Sequence, residues 1–482
     1  MSIVELLYTH SISKSDALFV ADDKGNEYSY KQAWHAILTI AYSLKNIYGV
    51  HSQQSVLAEC NQSADFLLLD MACNLIGAIF VPIERGASID RITDIAAETR
   101  SILFISEKTS FKSITCTSYK KLLDVLYTET TYSFPKDDSV AEILFTTGTT
   151  GKSKGIAISN RANTAIAENI KYGVDMPHNN IELIPLPLSH SHAIRCCYAN
   201  ILNGGTIIIC DGLLNISAFL QQIKKYKVSA IDISPNAGNI LMCLAKDAFI
   251  NVAKNFTYIQ FGTASISEDL KSTLIANLPG VHLYNFYGST ESGRSCVLDF
   301  SIYRNKKQCV GKPTVNSEIM FTDNNRLAIN ATAESPGLLA SKGPMNMEYY
   351  LNDSALTVEI SSNGFIYTND LGYMDKDGFV YILGRSGDVI TYNGIKISPE
   401  EIESIAIKYE GVKDAACVPV PDPIYGQIPK LFISLSANIE INHFRTFLSN
   451  HTDANKMPKR IEIINEIPRT YNGKIQRNKL VN

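Results

Sequence analysis

A surplus of basic charge, a long apolar run and a cysteine framework are all missing from this chain of 482 residues. Lysine and arginine together number 44 against 48 acids, a formal net charge of −4, so no surface for a polyanion is expected and nucleic acid is excluded as a partner. No stretch approaches the roughly 18 consecutive apolar residues of a membrane span. The opening segment MSIVELLYTH carries Glu5 and no basic region, which argues against a secretory leader. Ten cysteines are scattered without a C-x-x-C spacing, the closest pair being Cys196 and Cys197. That pattern fits reduced thiols in the cytoplasm better than zinc or disulfide frameworks. No internal repeat and no disordered linker is visible, and the length is enough for two or three cores.

What is present is an alternation of helical and extended periods. Apolar residues at Ala33, Ile37, Ile40, Ala41 and Leu44 recur with a helical period that Gly49 ends. A strand over 56–59, a helix over 64–76 closed by Gly77, and a strand over 78–81 follow. Further short strands are expected at 102–105, 207–210, 230–233 and 258–261. Such alternation favours an α/β fold, with mostly parallel sheets flanked by helices. Residues 106–139 are polar and without period, and are expected to be surface connections. The C-terminal stretch predicts a small α+β unit: strands at 389–391, 415–419 and 430–435, and a helix opened by Pro399 with Glu400 and Glu401 in its first turn.

The most distinctive segment is LFTTGTTGKSKG, residues 144–155. An apolar run ends in Thr146, Thr147, Gly148, Thr149, Thr150 and Gly151, then Lys152, Ser153, Lys154 and Gly155. Glycines let the backbone approach a ligand, while hydroxyls and ammonium groups supply donors with no carboxylate among them, a composition suited to phosphate. It is not a Walker A loop, because Thr146 stands where that fingerprint needs glycine.

Four more segments carry candidate chemistry. IPLPLSHSHAIRCC (184–197) offers His190, Ser191, His192 and Arg195; its histidines could suggest a metal, but the spacing supplies no further ligands, and His192 and Arg195 could equally be surface or helix-cap residues. FGTASIS (261–267) and YNFYGSTESG (284–293) place small residues at the ends of apolar strands, where open α/β sheets bind ligands. YTNDLGYMDKDGFVYILGRSGDVI (367–390) holds Asp370, whose carboxylate suits a vicinal diol, and Arg385. IPRTYNGKIQRNKL (467–480) holds Lys474.

In this order the segments resemble the motifs of the adenylate-forming superfamily, which includes acyl-CoA synthetases, peptide-synthetase adenylation domains and luciferases. The likeness runs from about residue 15 to 480. Departures are Ser153 for a proline in the loop, Leu338 and Glu348 in 337–353, Asn369 for a glycine, and Gly387 for a lysine. The resemblance implies a large N-terminal domain (1–385) that includes a small barrel-like subdomain, and a mobile C-terminal domain (386–482) hinged near Asp388. Residues 65–83 would pack the first sheet, and 337–353 would belong to the barrel.

It further implies ATP and Mg²⁺ as cofactors. The phosphates would be bound by Thr146 to Lys152, Lys154 and Thr290, the adenine by Gly262, Thr263, Ala264, Asn285, Phe286, Tyr287, Gly288 and Ser289, the ribose by Asp370 and Arg385, and the metal by Glu291. Lys474, Glu291, Thr290 and His190 would be catalytic. The acyl pocket would be lined by His190, Ser191, His192, Ala264 and Gly288, and the loop around Gly394 would meet a thiol.

The implied reaction is carboxylate activation as an acyl adenylate, followed by transfer to CoA. Loading of a phosphopantetheine carrier protein or an amine remains open, as does an inactive nucleotide-binding scaffold. The identity of the acid, and whether the protein is a monomer or a homodimer, also stay open. Peptide-synthetase adenylation domains hold the α-ammonium of their substrate with an aspartate at the position of His190. No acid follows through Ile194, so the expected substrate is an aryl or short-to-medium acyl acid without an α-amino group.

Overall fold

A computed structural model describes residues 1–107, 111, 114–127, 132–146, 154–392, 395–422, 426–452, 456–470 and 473–481. The chain forms two compact units. One comprises Met1–Lys307, Gly311–Glu318 and Ser341–Ile366, the other Gln308–Val310, Ile319–Ala340 and Tyr367–Asn482.

In the first unit, a seven-stranded sheet runs in the order Thr115–Thr117, Leu103–Ile105, Ser55–Glu59, Ile79–Ile83, Val140–Thr146, Lys154–Ser159 and Tyr349–Tyr350. Its first strands are parallel, and those from Val140 onward pair antiparallel. A second sheet places Thr206–Ile209, Ile181–Ile184, Ala230–Ile233, Tyr258–Phe261 and His282–Ser289 side by side in parallel, closed by antiparallel Gly293–Asp299.

Helices fill the space between, because their apolar faces have sheets to cover on both sides. The expected helix forms at Tyr30–Tyr42, started by a reciprocal capping box between Ser29 and Gln32. It continues as a π turn, Ser43–Ile47, and buries Ala33, Ile37, Ile40, Ala41 and Leu44. Every residue of the helix Ala64–Leu75 except Asp65 is buried, and the core it joins includes Phe19 and Ile207 of one sheet with Val56 and Phe80 of the other. A helix enclosed on nearly all sides belongs inside a layered domain.

Two expectations need correction. Residues 106–139 are not only surface connections: Thr115–Thr117 extends the first sheet, and the short helix Tyr119–Leu123 buries Tyr119 and Leu122. The Tyr119 hydroxyl donates to the Glu59 carbonyl at 2.6 Å. Elements this short complete too little of a period to be visible in sequence. The segment 337–353 is not all barrel, since Tyr349–Tyr350 leaves the second unit and pairs with Lys154–Ser159 in the first.

The second unit holds most of the strands Glu318–Thr322, Gly337–Lys342 and Phe365–Met374 and all of Val380–Arg385, together with a five-stranded sheet from the C-terminal residues. Compactness therefore groups these strands with 386–482. The C-terminal sheet nevertheless has its own core, with Ile390, Ile402, Leu431 and Phe444 buried together. Its helix ends at Ala406, and a second helix, Ile441–His451, was not anticipated.

A buried polar cluster stands under the second sheet. The Glu182 carboxylate accepts from Gln260 Nε2 at 2.5 Å, Asn200 Nδ2 at 2.5 Å and the Tyr258 hydroxyl at 3.1 Å. Burial, and secondarily the charge of Asp232, push its pKa up to about 7, against the pull of those donors. An acid whose folded pKa lies above its unfolded value binds its proton more tightly when folded. Its contribution is full below the unfolded value near 4.5 and is lost as pH rises to about 7. The stability difference between wild type and Glu182→Gln, from urea unfolding, should therefore shift by on the order of 3 kcal/mol against the wild type across that window. Parallel curves would show that Glu182 titrates normally.

Candidate active site

The strand Val140–Thr146 leads straight into the proposed phosphate loop, and a buried ion pair fixes its course. Arg195 Nη1 meets Glu142 Oε1, both side chains being almost wholly enclosed. The guanidinium also lies 5.4 Å from the centre of the Tyr198 ring, whose hydroxyl donates to Asp70 Oδ2 at 2.7 Å. Burial, reinforced by Glu142, raises the Asp70 carboxyl well above its ordinary value. Arg195 is thus neither a surface nor a capping residue. It joins the strand before the loop to the helix Ser191–Asn203, at whose N-cap His190 sits.

Thr147, Gly148, Thr149, Thr150, Gly151 and Lys152 lie outside the described residues, as does Gly394 and the side chain of Thr146. Lys154 is described. Its ammonium nitrogen is 5.5 Å from the centre of the Tyr350 ring, and the Tyr350 hydroxyl donates to Glu291 Oε1 at 2.7 Å. The Glu291 carbonyl accepts from the Met347 N–H at 2.8 Å. The end of the phosphate loop and Glu291 are therefore gathered by Tyr350, which sequence alone did not single out. Its place next to Tyr349 in a segment expected to be barrel concealed it.

The strand His282–Ser289 presents alternating faces. Asn285 is buried, and its Oδ1 has no hydrogen-bond donor among the described residues, an orphan that an exocyclic amino group would satisfy. Tyr287 is half-buried, while Gly288 and Ser289 are exposed, with Thr290 and Glu291 just beyond. Phe286 is a correction: its ring belongs to the core cluster and lies beneath the Arg294 guanidinium, leaving only its backbone to a nucleotide. Thr263 adopts φ 70°, a left-handed conformation strained for a β-branched residue, at the exposed turn where Ala264 is also open.

Two glycines allow close approach. A Cβ on Gly262 would collide with the His192 ring, and one on Gly288 with the Gly293 carbonyl. His192 is therefore packed against the loop 262–264, and its Nε2 is 2.7 Å from Asp232 Oδ1. Burial, and next the Arg294 charge, lower its pKa, so the ring is neutral near pH 7. The Cys196 thiol donates to Asp232 Oδ2 at 3.0 Å. Sequence spacing offered no third metal ligand, but the fold supplies Asp232, and donor atoms of His192, Cys196 and Asp232 lie within 4.8 Å of one another. Arg294 Nη2, only 3.2 Å from Cys196 Sγ, sets a positive charge against those donors and opposes a dication there.

In the second unit, Asp370 and Arg385 face each other across paired strands, Arg385 Nε lying 3.7 Å from Asp370 Oδ1. The turn after them is closed by Asp388 N–H to the Arg385 carbonyl at 2.8 Å. Asp388 Oδ2 lies 3.8 Å from Arg477, which also bonds both oxygens of Glu403. Lys474 is exposed on a tight turn whose Thr470 N–H donates to the Lys474 carbonyl at 2.8 Å.

The chain belongs to the AMP-binding enzyme family, whose profile matches residues 10–351, with the AMP-binding enzyme C-terminal domain at 401–474. It is 31% identical over 350 residues to 2-succinylbenzoate–CoA ligase of Staphylococcus aureus strain Newman, covering 72% of this chain and 68% of that protein. Its fold is that of o-succinylbenzoate CoA synthetase from Bacillus subtilis, solved with an acyl-adenylate intermediate (TM-score 0.89, 20% identity, 99% and 98% of the two chains). ATP-bound MatB from Rhodopseudomonas palustris is equally similar (TM-score 0.89, 20% identity, 100% and 98%). The chain is thus an AMP-binding enzyme.

Tyr350→Phe removes the hydroxyl that orients Glu291 and keeps the ring in its small core with Ile156, Met347 and Ile366. The magnesium concentration giving half-maximal adenylation should rise by about 10-fold, the usual cost of losing an outer-sphere partner, with little change in thermal midpoint. An unchanged magnesium dependence would separate Tyr350 from metal binding.

Proposed function

We propose that this enzyme condenses ATP with a carboxylic acid lacking an α-amino group and passes the acyl group to CoA, with 2-succinylbenzoate, named for the staphylococcal relatives, as the first acid to try. The buried Asn285 Oδ1, which has no donor among the described residues, on the strand that ends at Ser289 just before Thr290 and Glu291, carries the nucleotide part of this reading. Ten free cysteines and the need for ATP and CoA favour the cytoplasm. Among the described residues no helix is long and apolar enough to cross a membrane.

In the first step a carboxylate oxygen attacks the α-phosphorus, and the bond to pyrophosphate breaks. Two anions must meet, so the site has to cancel charge. Glu291 would hold Mg²⁺, which supplies Lewis-acid neutralisation of the phosphoryl oxygens. Thr290 and the loop from Thr146 to Lys154 would donate to the phosphates, and Lys474 would add charge as the adenylate forms. Asp370 would accept from both ribose hydroxyls, and Arg385 would reach ribose and phosphate. His190 would wall the acyl pocket.

In the second step a thiol sulfur attacks the acyl carbon, AMP leaves and the thiol proton is released. A rotation near Asp388 would withdraw Lys474 between the steps and bring the loop around Gly394 to the thiol. A carrier-protein thiol or an amine as acceptor, and a monomeric or dimeric enzyme, are alternatives that acceptor assays and sedimentation would separate.

Lys474→Ala should slow adenylate formation by about 10²-fold or more, the scale of removing one transition-state donor. Transfer from a supplied acyl adenylate to CoA should keep nearly its full rate. Equal losses in both half-reactions would remove Lys474 from this role.

A further inference from the structure

Among the buried cations that take no part in the mechanism, Arg294 lacks a carboxylate partner among the described residues. Arg294, on the strand Gly293–Asp299, is 6% exposed, and its guanidinium carbon lies 4.7 Å from the centre of the Phe286 ring. Nη2 donates to the His192 carbonyl at 3.3 Å and contacts Cys196 Sγ at 3.2 Å. Nη1 is buried with no acceptor among the described residues. No carboxylate among them pairs with it directly: Asp232 is reached only through the Cys196 thiol.

The guanidinium abuts the first turn of the helix Ser191–Asn203. That turn carries no acidic residue, and no side-chain hydrogen bond caps it. Two positive features therefore converge, a helix N-terminus and a desolvated guanidinium with a spare donor. Such an arrangement is unfavourable until an anion completes it. The location says which anion. Arg294 is the cross-strand partner of Gly288, and the His192 ring to whose backbone it bonds is packed on Gly262. Gly288 and His192 both belong to the proposed acyl pocket. The carboxylate that reacts is drawn to the α-phosphorus, so an anion at Arg294 has to sit elsewhere on the acid.

We propose that Arg294 receives a second carboxylate at the far end of the acyl substrate, and hence that the preferred acid is a dianion. This rests on the acid-activation reading above. The bidentate fork of arginine suits a carboxylate, and a site with a buried donor discriminates strongly against an analogue that leaves it unpaired.

The test uses matched acids with and without the second charge: 2-succinylbenzoate against 4-oxo-4-phenylbutanoate, and adipate against its monomethyl ester. Acid-dependent pyrophosphate exchange gives kcat/KM, and calorimetry without ATP gives binding. In at least one pair the wild type should prefer the dianion by about 30-fold or more, and Arg294→Gln should erase most of that ratio. Should the glutamine variant not fold, Arg294→Lys decides, with a fall of about 10-fold in the ratio expected from loss of the fork. Absence of any dianion preference, or a loss shared equally by both members of every pair, overturns the proposal. So does a defect confined to the KM for ATP, which would assign the residue to the nucleotide. If no acid supports exchange, the activation reading fails by itself. Calorimetry then still decides Arg294: tighter dianion binding by the wild type than by the variant supports the site, and no dianion binding refutes it.

Discussion

The buried pairing of Arg195 with Glu142 is the contact on which the arrangement of the first unit turns. Glu142 lies on the strand that delivers the chain to the phosphate loop, and Arg195 on the helix whose N-terminal end carries His190, Ser191 and His192. Two charges removed from water hold together only with good geometry, and removing either partner leaves the other uncompensated, at a cost of about 3–5 kcal/mol. The pair therefore fixes how the strand Val140–Thr146 meets the helix that His190 precedes. Tyr198 and Asp70 extend the same cluster to the enclosed helix Ala64–Leu75.

Charge is distributed around this pair in a way that suits the reaction. Lys154 brings an ammonium group to where phosphate is expected. Glu291, held by Tyr350, stands nearby as an oxygen ligand. Behind Gly262 and Gly288 the polarity changes to a neutral His192 braced by Asp232, with Arg294 beyond it.

How much of this could be read from the chain depended on whether the information was local. The helices Tyr30–Tyr42 and Ala64–Leu75 and the strands Ala230–Ile233 and Tyr258–Phe261 formed where period and glycine stops put them. Asn285, Thr290 and Glu291 stand in one contiguous segment, so the family resemblance could propose roles for them from sequence alone. Tyr350 was not, because its meaning comes from a strand pairing that carries it away from the barrel to Lys154–Ser159. Arg195 looked like a surface residue because its partner Glu142 is more than fifty positions away. Asp232 and Arg294 likewise acquire a role only when the second sheet brings three separate segments together. Short elements such as Tyr119–Leu123 failed for a simpler reason, since one turn of helix has no period to detect.

The central claim is that this site joins a carboxylate to the α-phosphorus of ATP. Isotope exchange between pyrophosphate and ATP, measured with the purified chain over a panel of carboxylic acids, tests it most directly. Exchange should require both magnesium and an acid, and CoA added with a competent acid should yield AMP and thioester in equal amounts. Exchange that proceeds without any acid, or fails with every acid in the panel, would contradict the account.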